Sequence, residues 1–242
     1  MSTGRNHPEA LTHVLTDDPV AALTFDDGPD PSSTPRILDI LAAHRARATF
    51  FMIGVRAYQH AELVAQVKRQ GHAIGNHSWD HPSFPFISHV ERIEQIQRCQ
   101  EALAPHGEPL FRPPYGHQDF ESWSDVDSMG YRVVTWKLSA GDWEPKDGPG
   151  MAEEVIRQLE PGKIILLHDG LFDAPDHRCF ARDSTIAALE LLLARLAGRF
   201  RFVTIPELLR LGVPQAKRWT YTEDKEGLNR LTRRDGPARQ YV

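Results

Sequence analysis

The feature that most constrains the fold of this chain is a regular alternation of short apolar runs with segments of helical periodicity. Apolar runs of strand length recur as VAALTF, ATFFMIG, HAIGNH, LFRPPYG, YRVVTWKL, KIILLH and RFVTI. Helical patterns follow them, among them STPRILDILAAH, AELVAQVKRQG and STIAALELLLARLAG. Because parallel strands need crossover connections, usually helices, seven strand-helix units in succession predict parallel strands that are buried on both faces. The pattern therefore favours an α/β fold with a barrel-like or doubly wound sheet.

Capping residues support the helical part of this pattern. Ser33 or Thr34 suits the N-cap of the first helix. Ser88 and Glu91 have the spacing of a capping box at the start of SHVERIEQIQRCQEAL. These signals place helix starts directly after the loops that follow predicted strands.

Composition excludes several classes of protein. The chain has 242 residues, of which 40% are hydrophobic and 25% charged, as in an ordinary globular protein. A net charge of −5 without a basic patch argues against nucleic-acid binding. Its two cysteines, Cys99 and Cys179, have no CxxC or zinc-finger spacing. Neither a signal peptide nor a run of about 18 apolar residues is present, so we expect a cytoplasmic protein without a membrane span.

The chain reads as a single large domain with two extensions. We predict an N-terminal extension over residues 1–18, a main strand-helix domain over 19–213 and a polar C-terminal tail over 214–242. The last segment is rich in Arg, Lys, Thr and Gly. We interpret it as a free tail or as the arm of a homo-oligomer.

Polar side chains gather after five of the predicted strands. In parallel strand-helix barrels, the loops at the C-terminal ends of the strands carry the active site. Random placement would put polar residues at either end of the strands. The clustering therefore argues against the alternative that the DDGP stretch is only a turn. The residues concerned are Asp26 and Asp27, His77 and His81, Arg112, Asp142 and Trp143, and His168.

His77 and His81 are the strongest sign of a metal site. Their spacing of four would align both rings on a helix, but Pro82 disfavours helical geometry for the residue before it. The pair would then bind from a loop or a frayed turn, whereas two histidines alone are more often ordinary surface or core residues. Adding one carboxylate gives a set of two His and one acid with open positions, which is typical of catalytic zinc.

The ordered motifs TFDDGP, HSWDH, RPPYG, GDW and LLHDG resemble those of the polysaccharide deacetylase family, also called the NodB-homology or carbohydrate esterase 4 family. The resemblance covers roughly Val20 to Pro214. It implies a distorted (β/α)7 barrel and the metal-dependent removal of acetyl groups, most often from N-acetylated sugars.

The resemblance also implies a metal set. Asp26 resembles the general base of the family, and Asp27 resembles its metal-binding carboxylate. His77 and His81 match the other two ligands of one divalent ion. We expect zinc, with cobalt and nickel as alternatives.

Further matched positions would orient the general base, stabilise the oxyanion and donate a proton to the leaving group. Arg112 matches the arginine that holds the base, and the backbone N–H of Tyr115 falls where the family stabilises the oxyanion. His168 is similar to the general acid, with Asp142 as its orienting partner. The residues expected to contact substrate around the acetyl pocket are Tyr115, Trp143 and Leu166.

One position departs from the pattern of the family. Many members have a further aspartate three residues before the position of Asp142, where this chain has Ser139. The sequence alone therefore leaves open how the His168 side chain is held in place.

Three functions are compatible with these residues. The leading one is de-N-acetylation of an amino sugar or soluble oligosaccharide, with Trp79, Phe84 and Phe172 in the loops as candidate stacking surfaces or ordinary packing. The second keeps the metal hydrolase but changes the substrate to a non-sugar amide, cyclic imide or ureide. The third is a non-catalytic barrel that binds carbohydrate.

Overall fold

The computed structural model describes residues 7–174 and 176–219. In chain order the strands are β1 (Glu9–Leu15), β2 (Val20–Asp26), β3 (Ala48–Met52), β4 (Ala73–Asn76), β5 (Leu110–Phe111), β6 (Arg132–Val133), β7 (Leu138–Ser139), β8 (Ile164–His168), β9 (Arg201–Phe202) and β10 (Val213–Arg218). The helices are α1 (Thr34–Ala43), α2 (Gly54–Gln59), α3 (Ala61–Arg69), α4 (His89–Leu103), α5 (Phe120–Ser128), α6 (Gly148–Gln158), α7 (Asp183–Leu196) and α8 (Ile205–Leu208).

The central sheet is parallel throughout. Its strands pair in the order β6-β5-β4-β3-β2-β8-β7, and β9 pairs with the start of β2. The fold is thus the distorted barrel that the alternation of strands and helices and the family resemblance predicted. One detail differs, because YRVVTWKL forms two separate short strands, β6 and β7, instead of a single one.

Both faces of β2 are buried, which explains why its sequence is almost entirely apolar. All seven of its residues are buried, and the side chains alternate between two clusters. Leu23 and Phe25 pack against helices such as α1 and α7. Ala22 packs inside the barrel, where it belongs to the same cluster as Phe51 and Ile164. The polar residues at the end of β2 therefore emerge from a rigid, fully packed strand.

The two ends of the described chain form an antiparallel ribbon, in which β1 pairs with β10. β1 also reaches the barrel, because Leu11 bridges Val134 beyond β6 and His13 bridges Lys163 before β8. The predicted N-terminal extension, residues 1–18, contains β1, and the predicted tail, residues 214–242, contains all of β10 after Val213. Residues 1–6 and 220–242 lie outside the described part of the chain. The division into domain, extension and tail stays a prediction.

The helix starts follow the capping signals in part. Ser88 accepts a hydrogen bond from the backbone of Glu91, whose carboxylate accepts from the N–H of Ser88, so the predicted capping box is present. Ser33 is the N-cap of α1, but its hydroxyl donates to the backbone carbonyl of Asp169 and makes no cap bond. Cys99 and Cys179 are free thiols. Within the described ranges, no helix combines the length and apolar character that crossing a bilayer requires.

Candidate active site

The candidate site lies at the edge of the sheet where the parallel strands end. Asp26 is the last residue of β2 and pairs in register with His168, the last residue of β8. His77 follows β4 directly, and Arg112 follows β5. Asp142 follows β7 by three residues. Parallel pairing therefore brings together side chains that are far apart in sequence.

Three of these side chains form a compact cluster of ligand atoms. Asp27 Oδ1 lies 3.3 Å from His77 Nε2 and 3.2 Å from His81 Nε2. All three residues are at most 5% exposed. Ligand atoms at 2.0–2.2 Å from a tetrahedral zinc ion lie roughly 3.3–3.6 Å from one another. The spacing of the cluster therefore fits a small divalent cation.

Hydrogen bonds leave the cluster's inward-facing atoms free for a metal. His77 Nδ1 lies 2.7 Å from the carbonyl oxygen of Arg112, which makes Nδ1 the protonated nitrogen and leaves the Nε2 lone pair available. The amide of Phe172 donates to Asp27 Oδ2 at 2.8 Å. Within the described part of the chain, Asp27 Oδ1 has no hydrogen-bond partner although it is buried. A bound cation would satisfy that oxygen.

The charge of Asp27 suits the same role. Burial alone would raise the pKa of this carboxyl, but the imidazoles of His81 and His77 hold it well below its usual value. The pKa of His81 is lowered, chiefly by burial, which keeps this ring neutral and able to ligate. An ionised carboxylate and a neutral imidazole are the protonation states in which these groups bind metals.

The segment that carries His77 and His81 has no helical structure. Of the two predicted alternatives, a loop or a frayed turn, it is the loop. Ser78 and His81 both have a positive φ, 66° in each case. Such a backbone costs of order 1–3 kcal/mol per residue and persists only where its surroundings hold it. The holding bonds include Ser78 N to Asn76 Oδ1 at 2.9 Å and His81 N to Ser78 Oγ at 3.0 Å.

Two aromatic rings cover His81. The ring centroid of Tyr115 lies 4.5 Å from that of His81, and the ring of Phe172 lies 4.8 Å away on a tilted plane. Phe172 therefore contacts the cluster twice, through its ring and through its amide. Phe84 and Trp79 take packing positions instead, since Phe84 is fully buried and the Trp79 ring lies under the Arg98 guanidinium at 4.2 Å.

Asp26 is held by a buried arginine. Arg112 Nη1 lies 2.7 Å from Asp26 Oδ1, and the Arg112 side chain is fully buried. Its other donors reach Thr24 Oγ1, Val134 O and Thr135 O. Oδ2 of Asp26 lies 3.9 Å from His77 Nε2, a member of the ligand cluster. One carboxylate oxygen is thus held by Arg112, and the other lies near the ligand cluster.

Asp142 holds His168 in place, although Ser139 stands where many family members have a further aspartate. His168 Nδ1 lies 2.8 Å from Asp142 Oδ1, and the His168 amide donates to Asp142 Oδ2 at 2.9 Å. Burial alone would lower the pKa of His168, but the nearby carboxylates, first Asp142 and then Asp27 and Asp26, together outweigh burial and raise it. The Ser139 hydroxyl accepts a bond from the Gly141 amide. The imidazole is therefore poised to carry a proton on Nε2.

The three substrate-contacting candidates surround this histidine unevenly. The Trp143 ring meets His168 edge-on, with centroids 5.7 Å apart. Leu166 precedes His168 by two residues on β8, so both side chains share one face of the sheet, and Leu166 is only 2% exposed. Tyr115 lies against the ring of His81 instead and is 43% exposed.

Several residues that support the candidate site were not predicted from the sequence. Arg182 donates to Asp142 Oδ2, and Thr185 lies 3.1 Å from the same oxygen.

Asp169 accepts from the Gly28 amide at 3.1 Å, so a side chain at Gly28 would clash with it. Arg56 binds the carbonyl oxygen of Asp27 at 2.9 Å. Only Asp169 had a usable signal, because it directly follows the motif histidine in LLHDG.

The sequence model named polysaccharide deacetylase matches residues 13–134, about half of the chain. The chain belongs to the polysaccharide deacetylase family. A relative named peptidoglycan-N-acetylglucosamine deacetylase, from Bacillus cereus, is 38% identical over 205 residues, with 81% of this chain and 91% of the relative covered.

Two further members of the family match over most of their length. A chitooligosaccharide deacetylase from Azorhizobium caulinodans is 38% identical over 186 residues, which cover 73% of this chain and 88% of the relative. The solved structure of the Bc1960 peptidoglycan N-acetylglucosamine deacetylase, in complex with an N-hydroxybenzamide, superposes with a TM-score of 0.75 at 29% identity. The superposition covers 84% of this chain and 94% of that chain.

Proposed function

We propose that this chain is a metal-dependent hydrolase that removes N-acetyl groups from amino sugars or soluble oligosaccharides. The observation that carries the proposal is the buried cluster of Asp27, His77 and His81, flanked by an arginine-held carboxylate and a carboxylate-held histidine. The similar proteins named as deacetylases of N-acetylglucosamine and chitooligosaccharide units support the same class of substrate.

We propose zinc as the physiological ion, held by Asp27 Oδ1, His77 Nε2 and His81 Nε2. Two imidazoles and one carboxylate with remaining open positions are a typical donor set of catalytic zinc, and cobalt and nickel accept the same ligands. When bound, such an ion lowers the pKa of water toward about 7 and polarises an acyl carbonyl.

Asp26 is the proposed general base. Its Oδ1 is fixed by Arg112, so Oδ2 is the oxygen that takes the proton from the attacking water. The fully buried guanidinium of Arg112 places a positive charge beside this carboxylate and holds its orientation. The new C–O bond converts the planar amide into a tetrahedral intermediate whose oxygen carries negative charge.

Tyr115 and His168 complete the reaction. The backbone N–H of Tyr115 is the proposed donor to the oxyanion, an interaction whose loss costs about 2.7–4 kcal/mol in comparable enzymes. His168 donates its Nε2 proton to the leaving nitrogen as the C–N bond breaks. Acetate and the free amine of the sugar are the products, so one water is consumed for each acetyl group released.

An acetate-release assay tests the proposal. N-acetylglucosamine oligomers, simple N-acetylated amines, cyclic imides and ureides are compared before metal chelation, after it and after addition of Zn²⁺, Co²⁺ or Ni²⁺. We expect release from the oligomers that chelation abolishes and zinc restores. Turnover of only the non-sugar amides would favour the second function, and sugar binding without any acetate release would favour the non-catalytic barrel.

Two further expectations stay predictions and have simple tests. Cell fractionation checks the cytoplasmic location. Light scattering after size-exclusion chromatography checks the homo-oligomer.

A further inference from the structure

Trp219, the first residue after β10, is joined to the loop that carries Tyr115. Its indole Nε1 donates to the carbonyl oxygen of Gly116 at 2.8 Å. In return, Gln118 Nε2 donates to the carbonyl oxygen of Trp219 at 3.1 Å. Two hydrogen bonds of opposite direction therefore connect positions about a hundred residues apart in sequence.

Aromatic packing reinforces this connection. The rings of Trp219 and Trp136 meet edge to face with centroids 5.4 Å apart. A Cβ at Gly116 would lie 2.9 Å from the Trp136 ring and 3.6 Å from the Trp219 ring. The backbone at Gly116 therefore lies directly against the two indoles, with no room for a side chain.

The loop needs such support because its backbone is strained. Tyr115 has φ 59° and Gly116 has φ 68°, two successive residues in the left-handed region. For a tyrosine this conformation costs of order 1–3 kcal/mol and survives only where surrounding contacts hold it. Trp219 binds the carbonyl of Gly116, so it restrains the Gly116–His117 peptide that follows this pair of left-handed residues.

Trp219 is itself anchored by the ribbon at the chain ends. Its amide donates to the carbonyl oxygen of Pro8 at 3.1 Å, and β10 pairs with β1 along its whole length. The ribbon therefore fixes the position of Trp219, and Trp219 in turn holds the loop. Trp219 also lies far beyond residue 134, where the matched family region ends.

We propose that Trp219 is a positioning residue that aims the Tyr115 N–H at the oxyanion, which makes the C-terminal strand a functional part of the active site. The inference rests on the proposed function, because it takes Tyr115 as the oxyanion donor. It assigns a role to a segment that the sequence pattern presents as a polar tail.

Trp219→Phe tests the proposal, since it keeps an aromatic ring and removes the donor. A displaced oxyanion donor lowers kcat, so we expect a fall of about 5- to 100-fold with KM within about twofold. The matched control is Gln215→Ala, because Gln215 Nε2 donates to the carbonyls of Val213 and Pro214 in its own strand. It should retain wild-type kcat.

Hydrogen exchange supplies a readout independent of activity. The amides of Gly116 and His117 donate to Pro113 O at 2.9 Å and Pro114 O at 3.0 Å. Both amides should exchange faster in Trp219→Phe than in wild type. Their exchange rates should be unchanged in Gln215→Ala. Gln118→Ala removes the second bond and should accelerate the same amides, so it decides the matter if Trp219→Phe fails to fold.

Wild-type kcat and wild-type exchange in folded Trp219→Phe, or in folded Gln118→Ala if the first variant does not fold, would overturn the proposal. Failure of the proposed function looks different, because the wild-type enzyme would then release no acetate from N-acetylglucosamine oligomers. In that case faster exchange in the variants would still show that Trp219 holds the loop, but the oxyanion role would be withdrawn.

Discussion

His168 Nδ1 lies 2.8 Å from Oδ1 of Asp142, and the other oxygen of that carboxylate is bound by the buried guanidinium of Arg182. This relationship fixes which imidazole nitrogen is available for chemistry. Because Nδ1 is committed to Asp142, a proton can be delivered only from Nε2. The carboxylate also stabilises the charged imidazolium, so the pair determines both the direction and the pH range of proton donation.

Asp142→Asn should shift the alkaline limb of the pH profile. An acid catalyst must be protonated, so activity falls as pH rises through the pKa of His168. Among the carboxylates that raise this pKa against the opposing effect of burial, Asp142 contributes most. Removing the charge should lower it and move the alkaline limb of kcat/KM to lower pH. Ser139→Ala is the control and should leave the limb in place; an equal shift in both variants would contradict the assignment.

Arg182→Ala should destabilise the protein strongly. The Arg182 and Asp142 side chains are at most 1% exposed, so the variant removes the guanidinium that balances the charge of a buried carboxylate. Such a loss typically costs about 3–5 kcal/mol of unfolding free energy, which denaturant titration measures. Arg178→Ala is the comparison, since its ion pair with Asp176 is exposed and should matter little. Equal stability of the two variants would show that Arg182 is not essential to the network.

Asp27→Asn should abolish tight metal binding. Substituting an outer partner of a metal ligand typically weakens affinity about 10- to 100-fold, so losing a ligand should cost more. Isothermal titration of the chelator-treated protein with Zn²⁺ measures the change, and wild type should bind one equivalent. Asp80→Asn is the matched control, because Asp80 lies in the same loop but its carboxylate accepts from Gln95 at 2.7 Å. Wild-type affinity in Asp27→Asn would remove Asp27 from the ligand set.

Asp26→Asn should separate catalysis from metal binding. Loss of a general base typically lowers kcat by about 10²- to 10⁴-fold. The variant keeps Asp27, His77 and His81, so the zinc stoichiometry should equal that of wild type. Acetate release and zinc titration on one preparation measure both quantities. Undiminished turnover would mean that another group takes the proton.

Much of the architecture follows from local sequence patterns. Apolar runs of strand length, followed by capped helical segments, are set by steric preferences that act over a few residues. The burial of all of β2 and the capping box at Ser88 follow from such patterns. Parallel strands then place the end of each strand at one edge, which is why Asp26 and His168 could be expected side by side.

Other features depend on contacts that no local pattern records. YRVVTWKL looks like one strand, but the barrel pairs only its ends, as β6 and β7. β10 has mostly exposed residues and no alternating apolar face, so it is a strand only because β1 pairs with it.

The sequence by itself determined the order of strands and helices and the set of acidic and histidine side chains available for chemistry. The tertiary structure alone decided that Arg182 grips Asp142 and that Trp219 lies against Gly116. The physical reason is that periodicity and turn preference act over a few residues. A hydrogen bond between residues 40 or 103 positions apart depends on how whole helices and strands pack.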